Sequence, residues 1–205
     1  MNQAFKNGIN KSLFFVENEA YQFWLEKVKE ALALWQYIVE DENNDAVGEM
    51  AKQTINALCW ISRTPEPNIN YTTPKSFFIF GTPGAGKTFF LEIIANRFNC
   101  IKMIDVDKIE EETIKPFGFK DWRWIAQFDD CHLVIDDIGS ETDKQVIMTI
   151  VKRREKLWKN NGILTFYTSN LKNREELESH YGTRIKSRLL GQCNFIKLTG
   201  KDRRS

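Results

Sequence analysis

The chain has 205 residues, 42% hydrophobic and 28% charged, enough for one domain with a real core and at most a small appendage. A net charge of +1 argues against tight indiscriminate binding to nucleic acid, and no apolar run approaches the ~18 residues that would span a bilayer. Four dispersed cysteines with no C-x-x-C pair, beside only two histidines, argue against a disulfide framework or a zinc site. With no signal peptide, the expectation is a soluble cytoplasmic protein without a membrane partner.

Over 17–39, apolar residues recur at Tyr21, Trp24, Val28, Leu32, Trp35 and Val39, the spacing of one face of an amphipathic helix. After "DENND", a second stripe follows at Val47, Met50, Ala51, Thr54, Leu58 and Ile61, and the proline-rich "RTPEPNINYTTP" reads as a linker. The expectation is a helical hairpin with its linker over 1–72. Its aromatic residues Phe14, Phe15 and Phe23 could anchor a partner, or its tryptophan face could pack on the rest of the chain.

From residue 73 the pattern changes. "KSFFIF", "CIKMIDV", "CHLVIDD", "GILTFYTS" and "CNFIKL" are short, nearly continuous apolar runs separated by helical stretches. Such runs suit strands buried on both faces, so 73–205 is expected to be α/β: a parallel five-stranded sheet between two layers of helices, the three-layer sandwich of a P-loop NTPase.

The first of these strands runs into Gly81-Thr82-Pro83-Gly84-Ala85-Gly86-Lys87-Thr88-Phe89, a full G-x-x-x-x-G-K-[ST] match placed after a strand and before a helix. Glycines let backbone N–H groups turn inward around phosphates, and the helix N-terminus adds its dipole. Lys87 would reach the β- and γ-phosphates of ATP, and the Thr88 hydroxyl would ligate Mg2+. "CHLVIDDIGSE" places Asp136 and Asp137 at the end of another strand. Asp136 fits the Walker B carboxylate that holds Mg2+. Asp137 stands where P-loop ATPases of this kind usually carry a glutamate that polarises the attacking water. One methylene shorter, it predicts slow hydrolysis; its alternative use is to cap a turn. Asn170 ends the strand "GILTFYTS" and could sense the γ-phosphate, since its amide donates and accepts at once; it could equally start the next helix.

"GTPGAGKT", "LVIDDIGSE", "FYTSN", "YGTRIKSRLL" and "DRR" together resemble the AAA+ ATPases of the DnaC/DnaI helicase-loader group, including the IstB-like transposition ATPases. The resemblance covers roughly 74–205. It implies strand order 5-1-4-3-2, ATP-dependent homo-oligomerisation, single-stranded DNA binding, and a replicative helicase or mobile-element protein as client. It also implies that Arg188, with Arg184 one turn earlier, reaches a neighbour's ATP as an arginine finger, and that Arg203 or Arg204 acts as a second sensor. "VKRREKLW" would put Arg153 or Arg154 near the subunit interface. The fold would lack a full helical lid.

Charge is distributed unevenly, at −4 over 1–72, −1 over 73–179 and +6 over 180–205. Against this resemblance, the basic end is expected to serve phosphates of ATP rather than a duplex. Two readings stand for "PFGFKDWRWIAQF". Phe117, Phe119, Trp122 and Trp124, interleaved with Lys120 and Arg123, could stack on unpaired bases, or Trp122, Ile125 and Phe128 could form core at helical spacing. The competing functions are an IstB-like transposition ATPase, a superfamily 3 helicase-like protein, a small-molecule kinase and a non-catalytic ATP-switch adaptor. The absence of a substrate lid between the third and fourth strands counts against the kinase.

Overall fold

The computed structural model describes Phe23, Glu26, Lys27, Glu30, Thr54 and Ala57, then residues 74–97 and 101–200. Those six N-terminal positions are all helical. The hairpin, its linker, Phe14, Phe15 and the boundary at residue 72 otherwise lie outside the described residues.

Five strands carry the rest: β1 (Ser76–Gly81), β2 (Ile101–Asp105), β3 (His132–Asp136), β4 (Thr165–Ser169) and β5 (Cys193–Leu198). Between them run α1 (Lys87–Arg97), α2 (Val106–Thr113), a 3-10 turn (Pro116–Gly118), the single-turn α3 (Arg123–Ala126), α4 (Lys144–Asn161), α5 (Arg174–Tyr181) and α6 (Thr183–Gln192). All pairings are parallel, in the order β2-β3-β4-β1-β5, which is the expected 5-1-4-3-2. β1 and β4 are buried at every residue, whereas the edge strands are less covered, β2 exposing Lys102 and Asp105 and β5 exposing Lys197. Register then decides where chemistry can occur. Asp105 pairs with Asp136, Ile135 with Tyr167, Phe80 with Ser169, and Gly81 with Leu198. The carboxyl ends of the strands therefore share one edge, and the order switches direction around β1 and β4, where α/β sheets form their ligand crevice.

Aromatic side chains fill the sheet faces. Phe77 lies 4.6 Å from Phe166, and Phe78 stacks on Phe195 at 4.6 Å. Trp122 and Phe128 are partly buried and pack against the core beside buried Ile125, as the helical spacing allowed, and Trp124 packs there with them. Phe119 differs, standing 67% exposed. Phe117's side chain lies outside the described residues. Lys120 pairs with Asp143 and Arg123 with Asp121, so both cations already have acidic partners.

One charged side chain is built into this core. Arg154 is 1% exposed and donates to Thr165 Oγ1 at 2.6 Å and to the carbonyls of Phe128, Cys131 and Leu164 at 2.8, 2.9 and 3.2 Å. It ties α4 to the starts of β3 and β4, so its guanidinium is taken up by partners within the chain. Arg153 pairs instead with Asp129.

Beside it, His132 Nδ1 accepts the Leu164 N–H at 3.0 Å. Burial, then the Arg154 guanidinium, push its pKa down from 6.5 to about 4. The unfolded chain therefore takes up this proton first as pH falls, and stability is lost between about pH 6.5 and 4. This group alone contributes about 3 kcal/mol across that window at 1.36 kcal/mol per pH unit. Urea unfolding at pH 7 and at pH 4.5 should show a markedly smaller acid loss in His132→Gln than in the parent chain.

Candidate nucleotide site

β1 delivers the backbone to the carboxyl edge of the sheet at Gly81, which is buried at φ +131°. A Cβ there would lie 1.8 Å from the Leu198 carbonyl oxygen, so β5 leaves room only for glycine. Thr82 N–H bonds to that same oxygen at 3.2 Å. The loop turns through Gly84 at φ +74° and Gly86 at φ +89°, conformations that favour glycine, and feeds α1, whose first residue is Lys87. The helix has no acidic residue of its own in the first turn, so its positive end favours an anion brought to the loop. Thr82 and Pro83 are exposed, Ala85 is buried, and Phe89 stands partly exposed on α1.

Lys87 is 6% exposed, and its ammonium donates to Gly81 O at 3.0 Å, Thr82 O at 2.7 Å and Asn170 Oδ1 at 2.8 Å. At its other end the same amide donates from Nδ2 to Asp137 Oδ1 at 2.6 Å. The amide's orientation follows from chemistry, because an ammonium only donates and a carboxylate only accepts. Asn170 therefore bridges the loop lysine and the residue after the Walker B aspartate. It does not start the next helix, since Asn173 caps α5 by accepting the Glu176 N–H.

A second set of bonds runs in parallel. Thr88 Oγ1 donates to Asp136 Oδ1 at 3.0 Å, and Thr168 Oγ1 donates to the same oxygen. Thr168 Oγ1 in turn accepts the Asp137 N–H at 2.8 Å. Thr168 was not singled out in the sequence, where it is one more β-branched residue in a buried strand. Its signal was positional: it lies near the carboxyl end of β4, beside the end of β3. Lys87, Thr88, Asp136, Asp137 and Asn170 thus come together from three segments of chain.

The fold has counterparts among solved structures. The chain is similar to DnaI, with a TM-score of 0.60 at 22% identity, over 80% of this chain and 87% of that one. It is also similar to the DnaC helicase loader, with a TM-score of 0.53 at 20% identity, over 76% and 91%. The chain has a DnaC/DnaI-like AAA+ fold. A replication initiator DnaA bound to AMPPCP and single-stranded DNA shares this AAA+ fold at TM-score 0.57 and 16% identity, over 80% of this chain and 48% of that one. The chain therefore spans about half of that initiator. No family model matches the sequence, and no curated protein sequence matches it.

Within the AAA+ fold, α5 and α6 break at Gly182, φ +82°. Arg184 is exposed on α6. Arg188 is joined to Glu155 of α4, its side chain 39% exposed, and not to the Lys87–Asn170 group. Glu155 also pairs with Lys159. Arg203 and Arg204 lie outside the described residues. Among the described residues no helix is long and apolar enough to cross a membrane.

Proposed function

We propose that the chain is a Mg2+-dependent AAA+ ATPase that assembles on ATP and acts, with single-stranded DNA, on a replicative helicase or a mobile-element protein. In this reading 73–205 is the ATPase unit without a full lid, and 1–72 is a separate helical module that meets the client. The observation that carries it is the Asn170 amide, which links the phosphate-loop lysine to Asp137 while Thr88 and Asp136 share an oxygen contact.

Lys87 and backbone N–H groups within 84–88 bind the phosphates of ATP, the substrate. Phe89 flanks the loop. Thr88 Oγ1 and Asp136 Oδ1 are hard oxygen donors that suit Mg2+, an ion that takes few protein ligands besides substrate phosphates. When bound, that ion supplies neutralisation of phosphate charge. Asp137 accepts a proton from water, and Asn170 orients the water against the γ-phosphate. The shorter aspartate makes this step slow. Arg188, with Arg184, completes the site of a neighbouring subunit, and Arg203 or Arg204 contacts the chain's own nucleotide.

Phosphate release per chain, measured against protein concentration, tests the assembly. It should rise with concentration as neighbours complete each other's sites. Arg188→Ala should keep ATP affinity within about twofold and lose at least about tenfold of the assembled rate, arginine fingers being worth more than that elsewhere. Mixing it with Lys87→Ala chains should restore part of the rate, and no restoration would remove the between-subunit role. Tight ATP binding without any phosphate release would make the chain a switch adaptor instead.

A further inference from the structure

Immediately after the two aspartates the chain makes a turn that the phosphate site does not by itself explain. Asp137 has φ +60°, the one non-glycine residue with positive φ among the described residues. Its carbonyl accepts Ser140 N–H at 3.3 Å and Ser140 Oγ–H at 2.8 Å. Ile138 is buried and donates its N–H to Thr168 O at 2.9 Å. Gly139 follows at φ +102°, where a Cβ would sit 3.1 Å from Leu171 Cγ.

This turn is tied down by Glu141, whose side chain has 0% exposure. Its Oε2 accepts the Gly139 N–H at 2.8 Å, and its Oε1 lies 2.9 Å from His180 Nε2. The next residue, Tyr181, is buried; burial, then the Glu141 carboxylate, push its phenol far above the ordinary range. A carboxylate taken wholly out of water costs several kcal/mol unless it is held by donors. The Tyr181 phenol is one polar neighbour of this carboxylate. The carboxylate's bonds to Gly139 and His180 account for its burial: one fixes the peptide of Gly139, two residues after Asp137, and the other anchors that peptide to the end of α5.

We propose that Glu141, braced by His180, is a positioning residue for the hydrolytic step. It holds the 137–140 turn so that Asp137 keeps its left-handed backbone, and with it the carboxylate's bond to Asn170 and the link onward to Lys87. Without Glu141, the Gly139 N–H loses its acceptor, Asp137 relaxes to an ordinary backbone conformation and its carboxylate leaves the amide. The proposal rests on the ATPase reading given above.

Steady-state phosphate release by the full chain, with AMPPCP binding measured alongside, tests it. Glu141→Gln removes both charge-assisted bonds: its one carbonyl oxygen can accept the Gly139 N–H, but its NH2 then faces His180 Nε2, which must accept rather than donate. This substitution should lower kcat about tenfold while leaving KM for ATP and AMPPCP affinity within about twofold, as expected for a group acting on the chemical step alone. His180→Ala should lower kcat by roughly threefold or more, and His180→Gln, whose amide can still donate to Glu141, should recover most of it. In an Asp137→Ala background, Glu141→Gln should have no further effect, because contacts acting through one group are not additive. Wild-type kcat in Glu141→Gln, or the same loss whether or not Asp137 is present, overturns the proposal and leaves the ATPase reading intact. A parent chain no faster than Lys87→Ala overturns both. Should Glu141→Gln fail to fold, the His180 pair decides: wild-type kcat in His180→Ala overturns the proposal.

Discussion

Lys87→Ala is expected to lose at least about 100-fold in ATP affinity while the sheet stays folded, as read by calorimetric titration beside a thermal melt. Charge-assisted hydrogen bonds contribute about 1.5–3 kcal/mol each. Two such bonds from a 6%-exposed ammonium to phosphate oxygens account for a loss of that size. The fold should survive because Lys87 bonds to carbonyls of its own loop and to Asn170 at the sheet's open edge, outside the packed sheet faces. ATP affinity unchanged in this variant would remove the site from the P-loop altogether.

Arg154→Met is expected to cost about 1–3 kcal/mol of folding stability, the range for leaving buried neutral partners without their hydrogen bond. Methionine fills much of the arginine stem's volume but takes the guanidinium away from the Thr165 hydroxyl and from the Phe128, Cys131 and Leu164 carbonyls. The urea midpoint should fall, with little change in the denaturant slope. ATP affinity of the folded fraction should be unaltered, because none of these partners touches the phosphate loop. A midpoint within experimental scatter of the parent would show that water replaces the guanidinium at no cost.

What could be read from residues alone was what depends on local order along the chain. The phosphate loop is eight consecutive residues between a strand and a helix, so its glycines, Lys87 and Thr88 carry their geometry in their spacing. Asp136 and Asn170 were legible because each ends an apolar run, and in a parallel sheet those ends converge. The strand order came from the resemblance, not from the runs themselves. Thr168, Glu141 and His180 were silent because their partners are distant in sequence and register alone brings them together. Arg154 was legible as buried. It continues the Val146 and Ile150 stripe at four-residue steps, which places it on the buried face of α4. The pairing of Arg188 with Glu155 had no signal at all, since both residues are ordinary charges on separate helices.

The contact between Gly81 and Leu198 bears on how the protein is made. β1 is synthesised early, and its "SFFIFG" is an aromatic-rich strand buried at all six positions. Until β5 emerges and pairs with it, β1 has a bare flank of unpaired N–H and C=O groups, the kind of edge that recruits other chains. The same pairing supplies the Leu198 oxygen that receives Thr82 and closes the start of the phosphate loop. One late-arriving strand therefore both hides the stickiest surface of the nascent chain and completes the loop. A ribosome-bound chain that stops short of β5 would be at its most aggregation-prone while its phosphate loop is still open.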